Sequence, residues 1–198
     1  RELIEDSQRF ALVIKAEQFH AQRTTVAKFL ACRVAGVCIP EVWEEFLDPN
    51  FKLVMPISPY RSFAPTDVRE GCRVVHGING VIRDSISLAT MIKCMGLPLN
   101  NGGSVQAHSV CIEESFNSET RMMSSYCLST ENAVERGASS EVIKVGMLTA
   151  CFHPAMPNKL LSLEMTFDVM AFMQQIRRVS GSAEFRVVPN MYRVAVEP

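Results

Sequence analysis

The sequence lacks the short motifs that mark the commonest metal, nucleotide and nucleophile sites. It has no CxxC or HExxH pattern, no phosphate-binding glycine loop, and no serine, histidine and aspartate in a recognisable triad order. We therefore expect no metal ion and no cofactor. Any chemistry would have to come from ordinary acid–base side chains.

The seven cysteines are too scattered for a zinc site or a disulfide framework. They stand at positions 32, 38, 72, 94, 111, 127 and 151, and the nearest two have five residues between them. Free, buried thiols are typical of reducing compartments. We therefore expect an intracellular protein of the nucleus or the cytoplasm, with a plastid as an alternative.

A charge excess of either sign is also missing. The 20 basic and 21 acidic side chains leave a net charge of −1, so we expect no direct binding of nucleic acid. No apolar run approaches the roughly 18 residues of a membrane span, and the first residues show no signal-peptide pattern. We expect no membrane-spanning segment.

What the chain does have is the length and apolar content of one folded domain with extensions. It contains 198 residues, of which 47% are hydrophobic. Residues 1–35 are predicted to form a helix, because Val26, Phe29 and Leu30 fall at helical spacing and Gly36 is a plausible stop.

The start of this helix carries a thinner apolar stripe of Leu3, Phe10 and Ile14. The chain also begins at Arg1 rather than at a methionine, so we expect a fragment of a longer protein. A coiled coil that begins before Arg1 is one alternative for the stripe. Residues 1–19 are assigned as an N-terminal helical extension.

The order of the remaining elements predicts an α+β fold. A short helix begins at Pro40, strands follow at 51–57 and 72–76, and another helix begins near Asn79. Four long strands are predicted at 104–115, 120–130, 142–153 and 159–168, before a short helix that ends at Gly181. Helices that precede an antiparallel meander are typical of α+β domains.

The last two predicted strands are apolar on both faces. In the strand at 142–153 the inward set is expected to be Ile143, Val145, Met147 and Cys151, yet the other face also carries large apolar residues. A sheet with one face in water should alternate more cleanly. We therefore expect the helices to cover one face, and a second copy or another protein to cover the other.

The strand KLLSLEMTFD at 159–168 resembles the closing strand of the nuclear-transport-factor-two-like superfamily, also called SnoaL-like or ketosteroid-isomerase-like. The strand FKLVM at 51–55, after Asp48 and Pro49, is similar to the family's first strand. The resemblance implies a cone-shaped fold of N-terminal helices packed on a strongly curved, mainly antiparallel sheet. It would span residues 20–181 and leave 182–198 as a C-terminal tail.

The phrases VMPISPYRSF at 54–63 and TFDVMAFMQQ at 166–175 are more specifically similar to SnoaL-like domains of algal and oomycete regulatory proteins. Some of those domains follow a basic leucine zipper, which would fit the helical start of this chain. The basic region itself is absent from residues 1–198, so the resemblance implies a regulatory domain without DNA binding of its own.

In the enzymes of this superfamily, an aspartate or histidine inside the cone moves a proton next to a carbonyl group. The resemblance implies Asp168, His108 and Tyr126 as catalytic candidates, with His76, His153 and Tyr60 behind them. Structural alternatives are open: Asp168 suits a helix N-cap, and His108 and Tyr126 could form an ordinary hydrogen-bonded pair. An apolar ligand pocket is expected from Trp43, Met55, Tyr60, Met147, Met165 and Phe167.

Two functions follow from these observations. The first is a non-catalytic module that dimerises through its sheet and binds a small apolar ligand within a larger regulatory protein. The second is a cofactor-independent isomerase, cyclase or dehydratase that uses acid–base residues in the cone. The missing catalytic motifs favour the first.

Overall fold

The computed structural model describes residues 2–57, 68–69, 71–93, 108–131, 133–135 and 140–180. Its order of elements confirms the predicted α+β class. The elements are α1 Glu2–Ala35, α2 Pro40–Glu44, β1 Leu47–Pro56, β2 Val68–Arg69, β3 Cys72–His76, α3 Gly77–Lys93, β4 His108–Asn117, β5 Arg121–Ser129, β6 Ile143–His153, β7 Met156–Phe167 and α4 Val169–Ser180.

The described strands form one seven-stranded sheet in the order β2-β3-β1-β7-β6-β5-β4. The sheet is mainly antiparallel, as expected, and β1 and β7 are its parallel neighbours. Three successive hairpin-type pairings, β4 with β5, β5 with β6 and β6 with β7, build the long half of the sheet. Strand β4 lies at one edge.

Helix α1 ends at Gly36, as the sequence predicts. Gly36 has a φ of +69°, a left-handed conformation that suits glycine, and the Val37 N–H donates to Cys32 O over 3.1 Å. A methyl group on Gly36 would lie 2.7 Å from Cβ of Ala89. The glycine therefore both stops α1 and lets α3 approach closely.

Strand β1 begins earlier than the sequence predicted. Asp48, Pro49 and Asn50, which read as a turn, lie within Leu47–Pro56, although the pairing with β7 shifts register between Leu47 and Lys52. The Asn50 N–H donates to Oδ1 of Asp48, a local turn interaction inside the irregular start of the strand. These three residues thus make a turn-like hydrogen bond, but they do so within the strand, where the pairing is irregular, and not in a separate loop.

Helices α1 and α3 pack on one face of the sheet, called the inner face here, and bury the main core. Trp43 lies fully inside this core, against the rings of Phe29 and Phe46, and its indole N–H donates to Val37 O over 3.1 Å. A second apolar cluster joins the end of α3 to β5 and to α4. Its members include Leu88, Ile92, Leu128, Val142, Phe172, Ile176 and Val179.

The expected inward set of β6 is wrong. Val142, Lys144, Leu148, Ala150 and Phe152 are the buried ones, whereas Ile143, Val145 and Met147 are exposed. Because side chains alternate with a period of two, a shift of one residue reverses the facing of the whole strand. With large apolar residues on both faces, composition could not decide between the two choices.

Candidate functional site

Three charged side chains meet in the interior between α1, β3 and α3. Arg33 in the last turn of α1 donates from Nε to Oδ2 of Asp84 over 2.8 Å, and Nη1 of Arg73 donates to Oδ1 of the same carboxylate. Asp84 is fully buried, and Arg33 is only 3% exposed. Two guanidinium groups thus hold one carboxylate and fix the geometry of this corner of the cone.

Arg33 also points a second nitrogen at the strand β1. Its Nη2 lies 3.1 Å from Sδ of Met55, and a thioether is a weak hydrogen-bond acceptor. The pair with Asp84 therefore orients the guanidinium, while its outer edge meets a soft, apolar side chain.

Tyr126 lies on the inner face of β5 and is fully buried. Its partner in the ladder is Gly146 on β6, and a methyl group there would lie 2.8 Å from the Tyr126 ring and 3.0 Å from its hydroxyl oxygen. The absence of a side chain at Gly146 thus leaves room for the aromatic ring.

The hydroxyl group of Tyr126 has no hydrogen-bond partner among the described residues. Burial raises its pKa to about 12, although the positive charge of Arg33 acts in the opposite direction. Tyr126 therefore stays neutral at physiological pH and presents an unused O–H donor. A buried donor without an acceptor costs about 1–3 kcal/mol, so the group is complementary to a ligand oxygen or a water molecule.

A groove of about 610 Å³ runs between α1 and the edge strand β4. Its helix wall consists of Ala27 and Ala31, and an ion pair of Arg23 with Glu114 crosses it. Its remaining lining comes from residues on and beside β4, namely His108, Ser109, Val110, Cys111, Ile112, Glu113 and Ser124. The volume lies within the usual range of small-molecule sites.

The groove adjoins Tyr126 through its neighbour on β4. Cys111 in the groove lining is the ladder partner of Tyr126. Burial raises the pKa of the Cys111 thiol, so that this position is neutral and weakly polar. The arrangement places a mainly apolar groove next to the strand position that pairs with Tyr126.

Aromatic rings surround the ammonium group of Lys144 at the end of the cone near α4. Its Nζ lies 4.3 Å from the ring centre of Phe167 and 5.4 Å from that of Phe172, which itself packs edge-on against Phe167. The Tyr126 ring centre is 5.7 Å away. These cation–π contacts tie α4 to the inner face.

Asp168 lies outside this arrangement. It is exposed, and its Oδ1 accepts the Ala171 N–H over 2.9 Å, which is the N-cap geometry of α4. The carboxylate therefore satisfies the start of a helix, which was the structural alternative for this residue.

His108 and Tyr126 do not form the expected pair. The register of β4 and β5 pairs His108 with Ser129, and Tyr126 with Cys111. Because His108 and Cys111 are three positions apart with no bulge between them, their side chains lie on opposite faces. His108 is exposed at the rim of the groove, His76 is exposed at the end of β3, and His153 is half-buried at the end of β6.

The expected pocket residues are dispersed. Met55 and Met165 are buried on the inner face, Trp43 is enclosed by core aromatics, and Phe167 is half-buried beside Lys144. Met147 is 42% exposed on the outer face, so the expectation that it faces the cone is wrong. A shift of one residue along a strand reverses the face to which every side chain points. Tyr60 lies outside the described residues, as do Cys94 and the tail 182–198.

Sequence reasoning missed Arg33 and Asp84, although both leave a signal. Arg33 continues the helical stripe of Val26, Phe29 and Leu30 at positions i, i+3, i+4 and i+7. Asp84 likewise interrupts the apolar face of α3. A charged residue in the middle of an apolar stripe is informative because such groups are almost never buried unless paired.

No protein-family model matches the sequence, and no curated protein is significantly similar to it. Solved structures do resemble it in shape. A protein from Bacillus subtilis that is named as an isomerase superposes with a TM-score of 0.50, over 79% of this chain and 93% of that protein, at 8% identity. At that identity the likeness shows a shared fold alone.

Two other solved structures are similar to a lesser degree. A SnoaL-like polyketide cyclase from Jannaschia sp. CCS1 covers 82% of this chain and 93% of its own, at 12% identity and a TM-score of 0.49. An LEH-like epoxide hydrolase from M. tuberculosis covers 81% and 92%, at 11% identity and a TM-score of 0.47. Identities this low show a shared fold at most, so function has to be argued from the site.

Two further features of the described residues concern membranes and metal ions. None of their helices is both long enough and apolar enough to cross a bilayer. Within the same residues, no three side chains of histidine, cysteine, aspartate or glutamate come together as metal ligands would.

Proposed function

We propose that this chain is a cofactor-independent enzyme that binds a small, mainly apolar molecule in its cone and moves a proton beside a carbonyl group. Isomerisation, cyclisation and dehydration are the reaction types that such a step serves. The observation that carries the proposal is the buried, neutral and unpartnered hydroxyl of Tyr126, whose ladder partner Cys111 lines the groove. The fold-level likeness to a protein named as an isomerase agrees with it.

Tyr126 is assigned the role of the donor to the carbonyl oxygen. Negative charge grows on that oxygen when a proton leaves the neighbouring carbon, and a preorganised donor in a dry site stabilises it. Its pKa of about 12 keeps the hydroxyl protonated throughout the physiological range. His108, which lines the groove on the edge strand β4, is the candidate base, because histidine is the side chain that most often serves as a general base in enzymes.

Exchange of carbon-bound hydrogen for deuterium tests this function without knowledge of the natural substrate. We expect the protein to accelerate exchange next to the carbonyl of an apolar ketone such as 2-indanone in D₂O, followed by proton NMR. Loss of one such donor typically costs about 10²–10³-fold in rate, so Tyr126→Phe should lose most of the acceleration.

A matched pair of histidine variants tests the base. His108→Ala should lose the acceleration, whereas His153→Ala, at the far end of β6, should keep it. Exchange that is no faster than in buffer across a set of aryl and cyclic ketones would overturn the enzymatic proposal.

A second function is favoured by the outer face of the sheet. We propose that this face associates with a second copy of the chain. Large apolar side chains are exposed across β4, β5 and β6, in a set named the outer patch: Val110, Ile112, Phe116, Met123, Ile143, Val145 and Met147. Val145 and Ile112 are more than half exposed, and contiguous patches of this kind on a monomer mark interaction surfaces.

The proposed association rests on this exposed apolar surface. It is tested by sedimentation at micromolar concentration, where we expect a dimer. Val145→Lys should convert the dimer to a monomer, because it places a charge in the centre of the patch. Met170→Lys is the matched control, since Met170 is 64% exposed on α4 and outside the patch. A wild-type monomer would overturn this function and leave the enzymatic one untouched.

A further inference from the structure

The groove and the outer patch share residues at the edge of the sheet. Every residue of β4 from 108 to 114 lines the groove. Because successive side chains of a strand point to opposite faces, a groove that contacts all of them follows the edge of the strand and reaches both faces. Val110 and Ile112 belong to the groove lining and also to the outer patch, where they are 39% and 57% exposed. At β4 the two surfaces are therefore continuous.

The strand register extends this surface from the groove to the centre of the outer patch. One residue of β5 joins Val110 in the ladder to Val145 on β6, and another joins His108 to Ile143 in the same way. Directly paired residues point to the same face, so His108 and Val110 lie on the outer face with Val145 and Ile143. Neighbouring strands are about 4.8 Å apart, which places His108 and Val110 about 10 Å from their counterparts on β6.

The outer patch suits a second copy of the chain as its partner. In a two-fold dimer the same patch packs against itself, so a charged centre would bring like charges together. The outward-facing residues at the centre of this patch are uncharged on both β5 and β6; they are Met123, Ser125, Cys127, Ser129, Ile143, Val145 and Met147. Self-association therefore buries apolar side chains without charge repulsion at this centre.

The size of a stable interface determines how far a second copy would reach. Such an interface buries about 800 Å² on each partner, which is a patch roughly 30 Å across. A second copy centred on Val145 would therefore extend past His108 and Val110, which are about 10 Å away. It would cover the outer side of the groove, whose opposite wall is formed by α1.

We propose that a second copy of the chain closes the groove, so that the substrate site is complete only in the dimer. This inference rests on the proposed enzyme and the proposed association, and it names how the site is regulated. In the dimer, the partner shields His108 from water, which strengthens its interactions with a bound substrate. In the monomer the imidazole is open to solvent. Because coupling between two binding events is reciprocal, a molecule in the groove also tightens the dimer.

Val145→Lys tests this coupling, because Val145 is 54% exposed in the patch and is not among the residues that line the groove. Deuterium exchange of 2-indanone is measured per protomer, beside sedimentation at the same protein concentration. Displacing a catalytic group by about 1 Å can cost about 10²-fold in rate, so we expect the monomeric variant to be at least about tenfold slower than the wild type. Met170→Lys, on α4, should keep both the dimer and the rate.

Dilution of the wild type provides a second test that needs no variant. The exchange rate per protomer should fall in parallel with the fraction of dimer, since mass action dissociates the dimer as the protein is diluted. Conversely, 2-indanone should lower the dissociation constant of the dimer by at least about fivefold, the lower end of typical coupling between sites.

The outcomes separate this inference from the two proposed functions. A monomeric Val145→Lys that exchanges 2-indanone as fast as the wild type would overturn the coupling and leave both the enzyme and the dimer standing. A rate per protomer that stays constant while the dimer dissociates would do the same. If no ketone exchanges but 2-indanone tightens the dimer, the closed groove stands as a binding site and the enzymatic function fails. A wild-type monomer would overturn the coupling together with the association.

Discussion

Replacing Tyr126 by phenylalanine should stabilise the ligand-free protein, although the side chain is one of the largest in the core. The change removes only the hydroxyl oxygen, which is buried and has no partner among the described residues. The ring keeps its contact with Gly146. Stability should therefore reflect the release of an unsatisfied polar group rather than the loss of packing.

The magnitude follows from the cost of that group. A buried, unsatisfied hydroxyl costs about 1–3 kcal/mol, and loss of its dispersion contacts offsets part of the gain. We expect a net rise of about 1–2 kcal/mol in the free energy of unfolding. For a chain of this size, that corresponds to a rise of roughly 2–8 °C in melting temperature.

Ser124→Ala is the control, because it deletes another buried hydroxyl on the same face of β5. The Ser124 Oγ donates to Glu113 O over 2.7 Å, so its removal should cost about 0.5–1.5 kcal/mol. Urea unfolding followed by circular dichroism measures both variants. The reasoning is refuted if Tyr126→Phe destabilises the protein as Ser124→Ala does, since the hydroxyl would then have a partner in solution.

Three other perturbations test the same region. The pKa of Tyr126 is raised from 10.0 to about 12 in the folded protein. The free energy of unfolding of the wild type should therefore fall as the pH rises from 10 towards 12, by at most ~3 kcal/mol. Because Tyr126→Phe has no such group, the unfolding free energies of the two proteins should diverge in this pH range. Gly146→Ala should cost about 3 kcal/mol in urea unfolding, at the upper end for overpacking, because its methyl would lie 2.0 Å from Thr166 O. Asp168→Ala should cost about 1 kcal/mol and Asp168→Asn far less; equal losses would exclude the cap.

The fold was largely predictable because its signals are local. Gly36 ends α1, Pro40 begins α2, and the long strands carry enough apolar residues to be found within a few positions of their ends. The facing of β6 was not predictable. Val142 is buried and Val145 is exposed because they point to opposite faces of the sheet. Neither composition nor spacing shows which of the two faces is the inner one.

The candidate site was only partly predictable. Tyr126 stands out as an aromatic residue with a polar end in a long strand. Its neighbour Arg33 comes from a helix that ends more than ninety positions earlier, and only the packed fold brings the two together. Asp168 looked catalytic from its position after a strand, but the same position is where a helix needs a cap. Contacts between residues far apart in the sequence, and not residue type alone, determine which side chains form the candidate site.

The parallel pairing of β1 with β7 has a consequence for how the protein is made. Leu53 of β1 pairs with Leu163 of β7, so β1 cannot complete its pairing until a segment 110 residues later in the chain is available. Pairings of such separation close slowly, and an unpaired apolar edge is prone to wrong partners meanwhile. During synthesis, α1 to α3 would leave the ribosome with the long edge of β1 open until β7 emerges. We therefore expect newly made chains to need protection from aggregation, even though β7 pairs with that edge in the finished sheet.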